Sequence, residues 1–106
     1  MNWTYSCPHC SATLNPQDTI VLRAEQGGRR FLVGFHPQPG NYEVDVPEGE
    51  SMEPGTTWDF SCPVCDRTLV SELSGELCAI DMRLHDERHR VYFSRIAGEK
   101  ATFVVS

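Results

Sequence analysis

The sequence predicts a mostly β protein built from two similar halves, and three observations support this prediction. Short runs rich in β-branched and aromatic residues alternate with glycine- or proline-containing turns along the 106-residue chain. Two stretches, 5–14 and 60–69, match at Ser, Cys, Pro, Cys, Thr and Leu. The segments that follow them have the same order of strands and turns. A chain of this length ordinarily forms one domain, so we expect a single domain over residues 1–106.

The first half, residues 1–46, contains the stretch 5–14, which we name knuckle 1. A strand over 19–24 follows, and Glu25-Gln26-Gly27-Gly28 is a hairpin signal because glycine accepts the positive φ of tight turns. The chain returns as a strand over 29–36. Residues 42–46 alternate apolar with acidic side chains, which is typical of a half-exposed strand. We therefore predict a knuckle followed by a three-stranded meander.

Residues 47–58 differ in composition from both halves. They combine prolines and glycines with Glu48, Glu50 and Glu53. Such acidic, irregular composition is typical of solvated segments. We predict an exposed acidic connector here, in preference to a binding segment.

The second half, residues 59–106, follows the plan of the first. The knuckles align at an offset of 55 and the strands at 60, which places Ile20 with Ile80 and Arg23 with Arg83. Similarity at a fixed period indicates a duplicated unit, although any two β-meanders of similar length would align comparably. The predicted elements are knuckle 2 at 60–69, strands over 76–84, 89–96 and 101–105, and a hairpin tip at 85–88.

Four of the five cysteines form two Cys-Pro-x-Cys pairs, one in each knuckle: Cys7 and Cys10, then Cys62 and Cys65. Such a pair bends the backbone so that both sulfurs point at one ion, and two pairs complete a tetrahedral site. Four thiolates suit one structural Zn²⁺. A site filled by four protein ligands has no open position for a reacting group, so we expect no enzyme.

The knuckles resemble those of the zinc-ribbon class, in which two Cys-Pro-x-Cys-type knuckles hold one zinc ion. This resemblance covers the knuckles closely and the hairpins only in outline. It implies a binding or scaffolding role without identifying the partner.

A second likeness involves Tyr5, Cys7, Cys10 and Pro16, then Pro54-Gly55-Thr56, Trp58, Cys62, Pro63 and Cys65. At these residues the chain resembles the rubredoxins, which carry one iron on four cysteines and transfer electrons. Neither pair is followed by glycine, the spacer is much longer, and 41 residues follow Cys65. Iron therefore stays the alternative metal.

Other readings of the cysteines and histidines are weaker. Cys7-Pro8-His9-Cys10 matches the tetrapeptide of thioredoxin-class disulfide oxidases, but the residues that follow cannot sustain the helix such a site needs. Cys78 lies in an apolar run, which favours a buried and inert thiol over a fifth ligand or a redox sensor. His85 and His89 have a metal-binding helical spacing, yet we predict exposed residues at a hairpin tip.

The chain carries a net charge of −6, which opposes binding to the phosphate backbone of nucleic acids. Its arginines nevertheless concentrate near the two predicted hairpin tips, where they could form one basic patch. The alternative to a basic patch is a simple solvated face. A basic patch could bind a nucleic acid or an acidic protein segment. The candidate residues are Arg29, Arg30, Arg83, Arg88, Arg90 and Arg95.

The functional expectation is a non-catalytic zinc-binding adaptor that recognises another protein, with a nucleic-acid-associated zinc ribbon or an iron electron carrier as alternatives. The last strand, 101–105, is a candidate for edge pairing, including pairing in a homodimer. No run is long and apolar enough for a bilayer, and no signal peptide is evident, so we expect a cytoplasmic protein.

Overall fold

A computed structural model describes residues 3–37, 43–99 and 102–105. Within these ranges the chain forms strands, turns and loops and contains no helix, as the sequence predicts. No segment of the described chain is therefore a helix capable of crossing a membrane. The strands are β1 (Trp3–Ser6), β2 (Ile20–Gln26), β3 (Arg29–Phe35), β4 (Val44–Asp45), β5 (Asp59–Ser61), β6 (Leu77–Leu84), β7 (Glu87–Ser94) and β8 (Thr102–Val105).

The strands form two four-stranded antiparallel sheets. Sheet A has the order β1-β6-β7-β8, and sheet B has the order β4-β3-β2-β5. The predicted meanders are present as β2–β4 and β6–β8, although residues 42 and 101 of the predicted strands lie outside the described residues.

The short strand that precedes each knuckle joins the sheet of the other half. Tyr5 of β1 lies opposite Met82 of β6, and Phe60 of β5 lies opposite Ala24 of β2. Each sheet thus combines three strands from one half of the chain with one strand from the other. We call this arrangement the strand exchange, and the sequence reasoning did not anticipate it.

The register of the sheets corrects the alignment of the two halves. Ser6 and Ser61 occupy the same position in the two knuckles. Arg23 lies opposite Ser61 of β5, and Asp81 lies opposite Ser6 of β1. The counterpart of Arg23 is therefore Asp81, so its predicted alignment with Arg83 is wrong. A shift of two residues keeps every side chain on its own face of a strand, so the hydrophobic pattern alone could not detect the error. The duplication itself stays a prediction.

The two hairpins turn through two residues each. Gly27 and Gly28 have φ of 53° and 86°, the left-handed conformation that the glycines predict. In sheet A the turn is His85-Asp86, with His85 at φ 58°, and β7 starts at Glu87. The predicted tip at 85–88 is thus two residues too long.

A core of buried side chains lies between the sheets. Phe35 and Phe60 of sheet B contact each other and Phe93 of sheet A, and the three pairs of ring centroids are 5.6 to 6.0 Å apart. These edge-to-face and tilted contacts are favourable arrangements of aromatic rings. The largest fully buried side chains are those of Trp58, Leu14, Leu22, Leu69 and Ile80.

The connector departs from its prediction at its carboxyl end. Residues 47–49 are exposed as expected, but Trp58 is 0% exposed. The Trp58 amide donates to the Arg95 carbonyl at 2.9 Å, and the Gly55 amide donates to Ala97 at 2.8 Å. The prediction of a solvated segment is therefore wrong for its end, because the average composition conceals one large apolar side chain that fills the core.

Candidate metal centre

Knuckle 1 is a tight turn closed by its own backbone. The Ser11 amide donates to the Cys7 carbonyl at 2.9 Å, and the Cys7 amide donates to the Ala12 carbonyl at 3.0 Å. Ser11 has φ 64°, in the left-handed region that residues other than glycine adopt only rarely. This conformation directs both cysteine side chains to one side of the turn.

Knuckle 2 has the same geometry. The Asp66 amide donates to the Cys62 carbonyl at 2.9 Å, and the Cys62 amide donates to Arg67 at 3.0 Å. Asp66 has φ 67°, and aspartate tolerates this region better than most residues. The two knuckles are therefore alike in backbone as well as in sequence.

Each knuckle is held by the strand that leads into it and by a buried leucine beyond it. The Leu14 amide donates to the Tyr5 carbonyl of β1 at 2.7 Å, and the Leu69 amide donates to the Phe60 carbonyl of β5 at 2.9 Å. Both leucines are 1% exposed. Because β1 lies in sheet A and β5 in sheet B, the knuckles carry the two cysteine pairs from different sheets to one place.

The four sulfur atoms form a compact cluster. The Sγ atoms of Cys7, Cys10, Cys62 and Cys65 all lie within 4.8 Å of one another. Cys7 Sγ is 3.7 Å from Cys65 Sγ, and Cys10 Sγ is 3.7 Å from Cys62 Sγ. A tetrahedral ion with metal–sulfur bonds of about 2.3 Å requires sulfur separations of about 3.8 Å. The donor set thus has the size and chemistry of a four-thiolate metal site.

Backbone amides point at the sulfur atoms. His9 N–H lies 3.3 Å from Cys7 Sγ, and Val64 N–H lies 3.3 Å from Cys62 Sγ. Hydrogen bonds from backbone N–H groups to sulfur stabilise thiolates and fix their orientation towards an ion. In each knuckle, a backbone N–H therefore points at the sulfur of the first cysteine.

The thiols differ in acidity because their surroundings differ. Burial raises the pKa of Cys7 to about 12. Burial also opposes ionisation of Cys62, but the amides of Cys65 and Val64 and the neighbouring thiols outweigh it and lower that pKa to about 7. Four adjacent thiolates repel one another unless a cation lies between them. Metal binding and loss of the thiol protons are therefore coupled at this site.

Two contacts join knuckle 2 to its surroundings and were not predicted. His9 Nε2 donates to the Thr68 carbonyl at 3.1 Å, which links the two knuckles. The Asp66 carboxylate accepts hydrogen bonds from Arg23 and from Arg30, the latter at 2.6 Å. The Arg30 hydrogen bond lowers the pKa of Asp66. We call the contact of Asp66 with Arg23 and Arg30 the bridge. The only sequence feature that pointed to it was an aspartate directly after the second cysteine of knuckle 2.

The six candidate arginines lie on both sheets, and four of them bind carboxylates. Arg29 is 3.6 Å from Glu50 and its guanidinium lies 5.4 Å from the Trp58 ring centre. Arg83 and Arg88 face each other across β6 and β7, and neither forms an ion pair within the described chain. A shared patch therefore stays a prediction. The other three pairs are Arg30 with Asp66, Arg90 with Asp81, and Arg95 with Asp59.

The remaining candidates lie away from the sulfur cluster. Cys78 is 0% exposed in β6, as predicted, and burial raises its pKa to about 12. His85 is exposed at the hairpin turn as predicted, but the prediction is wrong for His89, which lies in β7 opposite Met82 with its side chain only 16% exposed. Among residues 3–37, 43–99 and 102–105, the four knuckle cysteines are the only group of three or more side chains placed to share a metal.

Comparisons with known proteins add no family assignment. No protein-family model matches the chain, and neither a curated protein nor a solved structure matches it. The cysteine cluster is consistent with a zinc-ribbon-like site, and this likeness rests on the geometry of the two knuckles alone.

Proposed function

We propose that the protein is a non-catalytic zinc protein in which one structural ion joins the two sheets. The supporting observation is the cluster of four Sγ atoms, two from each half, with cross-knuckle separations of 3.7 Å. When bound, zinc would fix four thiolates and hold the two knuckles together. The binding free energy of such a site is on the order of 10 kcal/mol, a large contribution for a domain of this size.

Purification without added metal, followed by elemental analysis, tests this proposal directly. We expect a colourless protein with one zinc ion per chain. Replacing the zinc with Co²⁺ should give the intense visible absorption of tetrahedral thiolate coordination. A red protein that contains iron and shows a reversible redox wave would replace the zinc proposal with the electron-carrier alternative.

Substitution of single cysteines tests whether one site spans both halves. Cys62→Ser should abolish metal binding and remove on the order of 10 kcal/mol of stability, so the variant should unfold. Cys78→Ala is the matched control because Cys78 is buried but lies outside the cluster. It should retain one metal per chain. A folded, metal-bearing first half in Cys62→Ser, detected by elemental analysis and circular dichroism, would contradict a shared site.

We further propose that the folded protein serves as an adaptor for another protein. The support is a surface that presents exposed apolar side chains on strands, including Leu32 and Val44. Most candidate arginines are neutralised by carboxylates on the same chain. This pairing makes a phosphate backbone the less suitable partner.

Arg83 and Arg88 give the sharpest test of the basic patch, because neither has an ion-pair partner in the described ranges. Affinity capture with Arg88→Glu should lose a partner that the unmodified protein retains. Arg67→Glu is the control, since Arg67 is also exposed and the charge change is identical. Unchanged partners would exclude the patch from the adaptor role. Retention of oligonucleotides that weakens steeply with salt would instead favour the nucleic-acid alternative.

A further inference from the structure

We infer that β8 is a pairing edge through which two copies of this chain form a continuous eight-stranded sheet. The inference goes beyond the zinc site and does not depend on the adaptor role. It rests on a comparison of the four sheet edges, on the composition of β8 and on the registers that a two-fold axis permits.

The edges formed by β1 and β5 are covered by the chain that follows each knuckle. Ser6 of β1 bridges to Thr13, and Ser61 of β5 bridges to Thr68. Asn15 adds to this cover because its Oδ1 accepts the Tyr5 amide at 2.8 Å. These two edges therefore offer few free backbone groups to another strand.

The edge formed by β4 is protected differently. This strand has only two described residues, Val44 and Asp45, and the second carries a charge. Short length and charge are the usual devices that prevent strands from pairing between molecules. On a chain of net charge −6, a carboxylate at an edge also repels a second copy.

β8 has four described residues against two in β4, and it carries neither the charge of β4 nor the cover of β1 and β5. Thr102, Phe103, Val104 and Val105 include no charge and no proline. The three apolar side chains are 53%, 46% and 49% exposed, on both faces of the strand. No backbone hydrogen bond of the described residues reaches the side of β8 that faces away from β7. Among residues 3–37, 43–99 and 102–105, the strand thus has an open edge bordered by apolar groups.

Symmetry restricts how two such edges can pair. A two-fold axis perpendicular to the sheet turns the outer faces of both copies to the same side. Directly opposed residues of antiparallel strands point to the same side of the sheet, so the pairing must be centred on a residue and not between two residues. Tyr92 lies opposite Phe103, and Arg90 lies opposite Val105, which puts Phe103 and Val105 on the same face. Centring on Val104 places Val104 against its own copy and Phe103 against Val105 of the other copy. This register therefore pairs apolar side chains on both faces, with Phe103 against Val105 on one face and Val104 against its own copy on the other.

A second copy suits this edge because the strand itself brings no charge into the contact. The interface would be small, since only about four residues of each copy pair, and specific interfaces of standard size bury about 1,600 Å². We therefore expect a dimer with a dissociation constant in the micromolar range or weaker, which concentration controls.

Analytical ultracentrifugation of the zinc-loaded, full-length chain from about 1 to about 500 µM tests the inference. We expect a monomer–dimer equilibrium that Val104→Lys weakens at least about tenfold, because it places two ammonium groups at the two-fold axis. Leu73→Lys is the control, since Leu73 is 75% exposed but lies outside the strands. A monomer throughout the range, or a dimer unaffected by Val104→Lys, would overturn the inference. Oligomers that keep growing with concentration would indicate head-to-tail pairing and would also overturn it.

Crosslinking tests the register. Opposed residues of antiparallel strands have Cα separations of about 4.5 to 5.5 Å, which a disulfide can bridge. Zinc-loaded Val104→Cys should therefore form a disulfide-linked dimer under mild oxidation, whereas Leu73→Cys should remain largely monomeric. A dimer in the centrifuge without this crosslink would contradict pairing centred on Val104.

Discussion

At the scale of single residues, Asp66 distinguishes the two knuckles. Its backbone performs the same turn as Ser11, with φ of 67° and 64°. Its carboxylate also accepts hydrogen bonds from Arg23 of β2 and Arg30 of β3, which ties knuckle 2 to sheet B. Ser11 has no carboxylate to offer, so knuckle 1 lacks an equivalent ion pair.

Asp66→Asn tests how much this bridge contributes. Asparagine keeps the tolerance for positive φ, so the variant removes charge while preserving the turn. We expect a fall in Tm of at most about 5 °C, because exposed ion pairs contribute little. The fall should shrink in about 1 M salt, which screens the charges. Differential scanning calorimetry of the zinc-loaded protein measures both effects.

Asp18→Asn is the matched control for this variant. Asp18 also has positive φ, at 77°, and forms no ion pair within the described chain. Because the arginines lower the pKa of Asp66 below 3.8, its contribution is complete above that pH and fades as the pH falls through the lowered value. Equal effects of the two substitutions at neutral pH would contradict a specific role for the bridge.

The cysteines and their turns were predictable from the sequence, and the partners of the arginines were not. A Cys-Pro-x-Cys pair specifies its own local geometry, including the positive φ at Ser11 and Asp66. The contact between Arg23 and Asp66 depends instead on the register of β2 against β5. Nothing in the residues near Arg23 encodes that register.

At the scale of elements, the pairings of strands adjacent in sequence were predicted, whereas the pairings of strands distant in sequence were missed. The β2–β3 and β6–β7 hairpins were predicted because each strand pairs with its neighbour in sequence. The pairing of β1 with β6 was missed because β1 has four residues and its partner lies in the other half of the chain. Short strands with distant partners have no periodic signal of their own.

The connector provides a prediction at this scale. Trp58 is fully buried, its ring lies 5.4 Å from that of Phe31, and its Nε1 donates to Thr56 at 2.9 Å. Trp58→Ala should cost about 3–5 kcal/mol of the free energy of unfolding, because it leaves a cavity between the sheets. Urea unfolding at a fixed free zinc concentration measures this loss.

Glu48→Ala is the control for the same segment. Glu48 lies in the exposed part of the connector, so its substitution should change stability by less than about 0.5 kcal/mol. Similar costs for the two variants would show that the connector behaves as a uniform solvated linker after all.

At the scale of the whole molecule, the proposed zinc ion and the strand exchange should make the two sheets one cooperative unit. Each sheet includes a strand that ends at a knuckle, and both knuckles converge on the sulfur cluster. Removal of zinc by a strong chelator should therefore disrupt sheets A and B in one transition. Circular dichroism of the backbone and fluorescence of the tryptophans should change together.

Cys7→Ser is the control for chelation. It should lack metal at the outset, so chelator should not change its spectra. A chelated protein that keeps the aromatic contacts of Phe35, Phe60 and Phe93, observed by NMR, would show that the sheets pack without the ion.

Because of the strand exchange, the covalent link between the halves should contribute little to holding them together. Each half would hold the other through one inserted strand, a shared aromatic core and two of four thiolates. A proteolytic nick at the exposed Glu48-Gly49 bond should therefore leave a stable two-piece protein, with the intact linker serving mainly to raise the local concentration of each piece. The molecule would behave as a heterodimer whose subunits happen to be tethered, and separately expressed fragments should recombine when zinc is supplied.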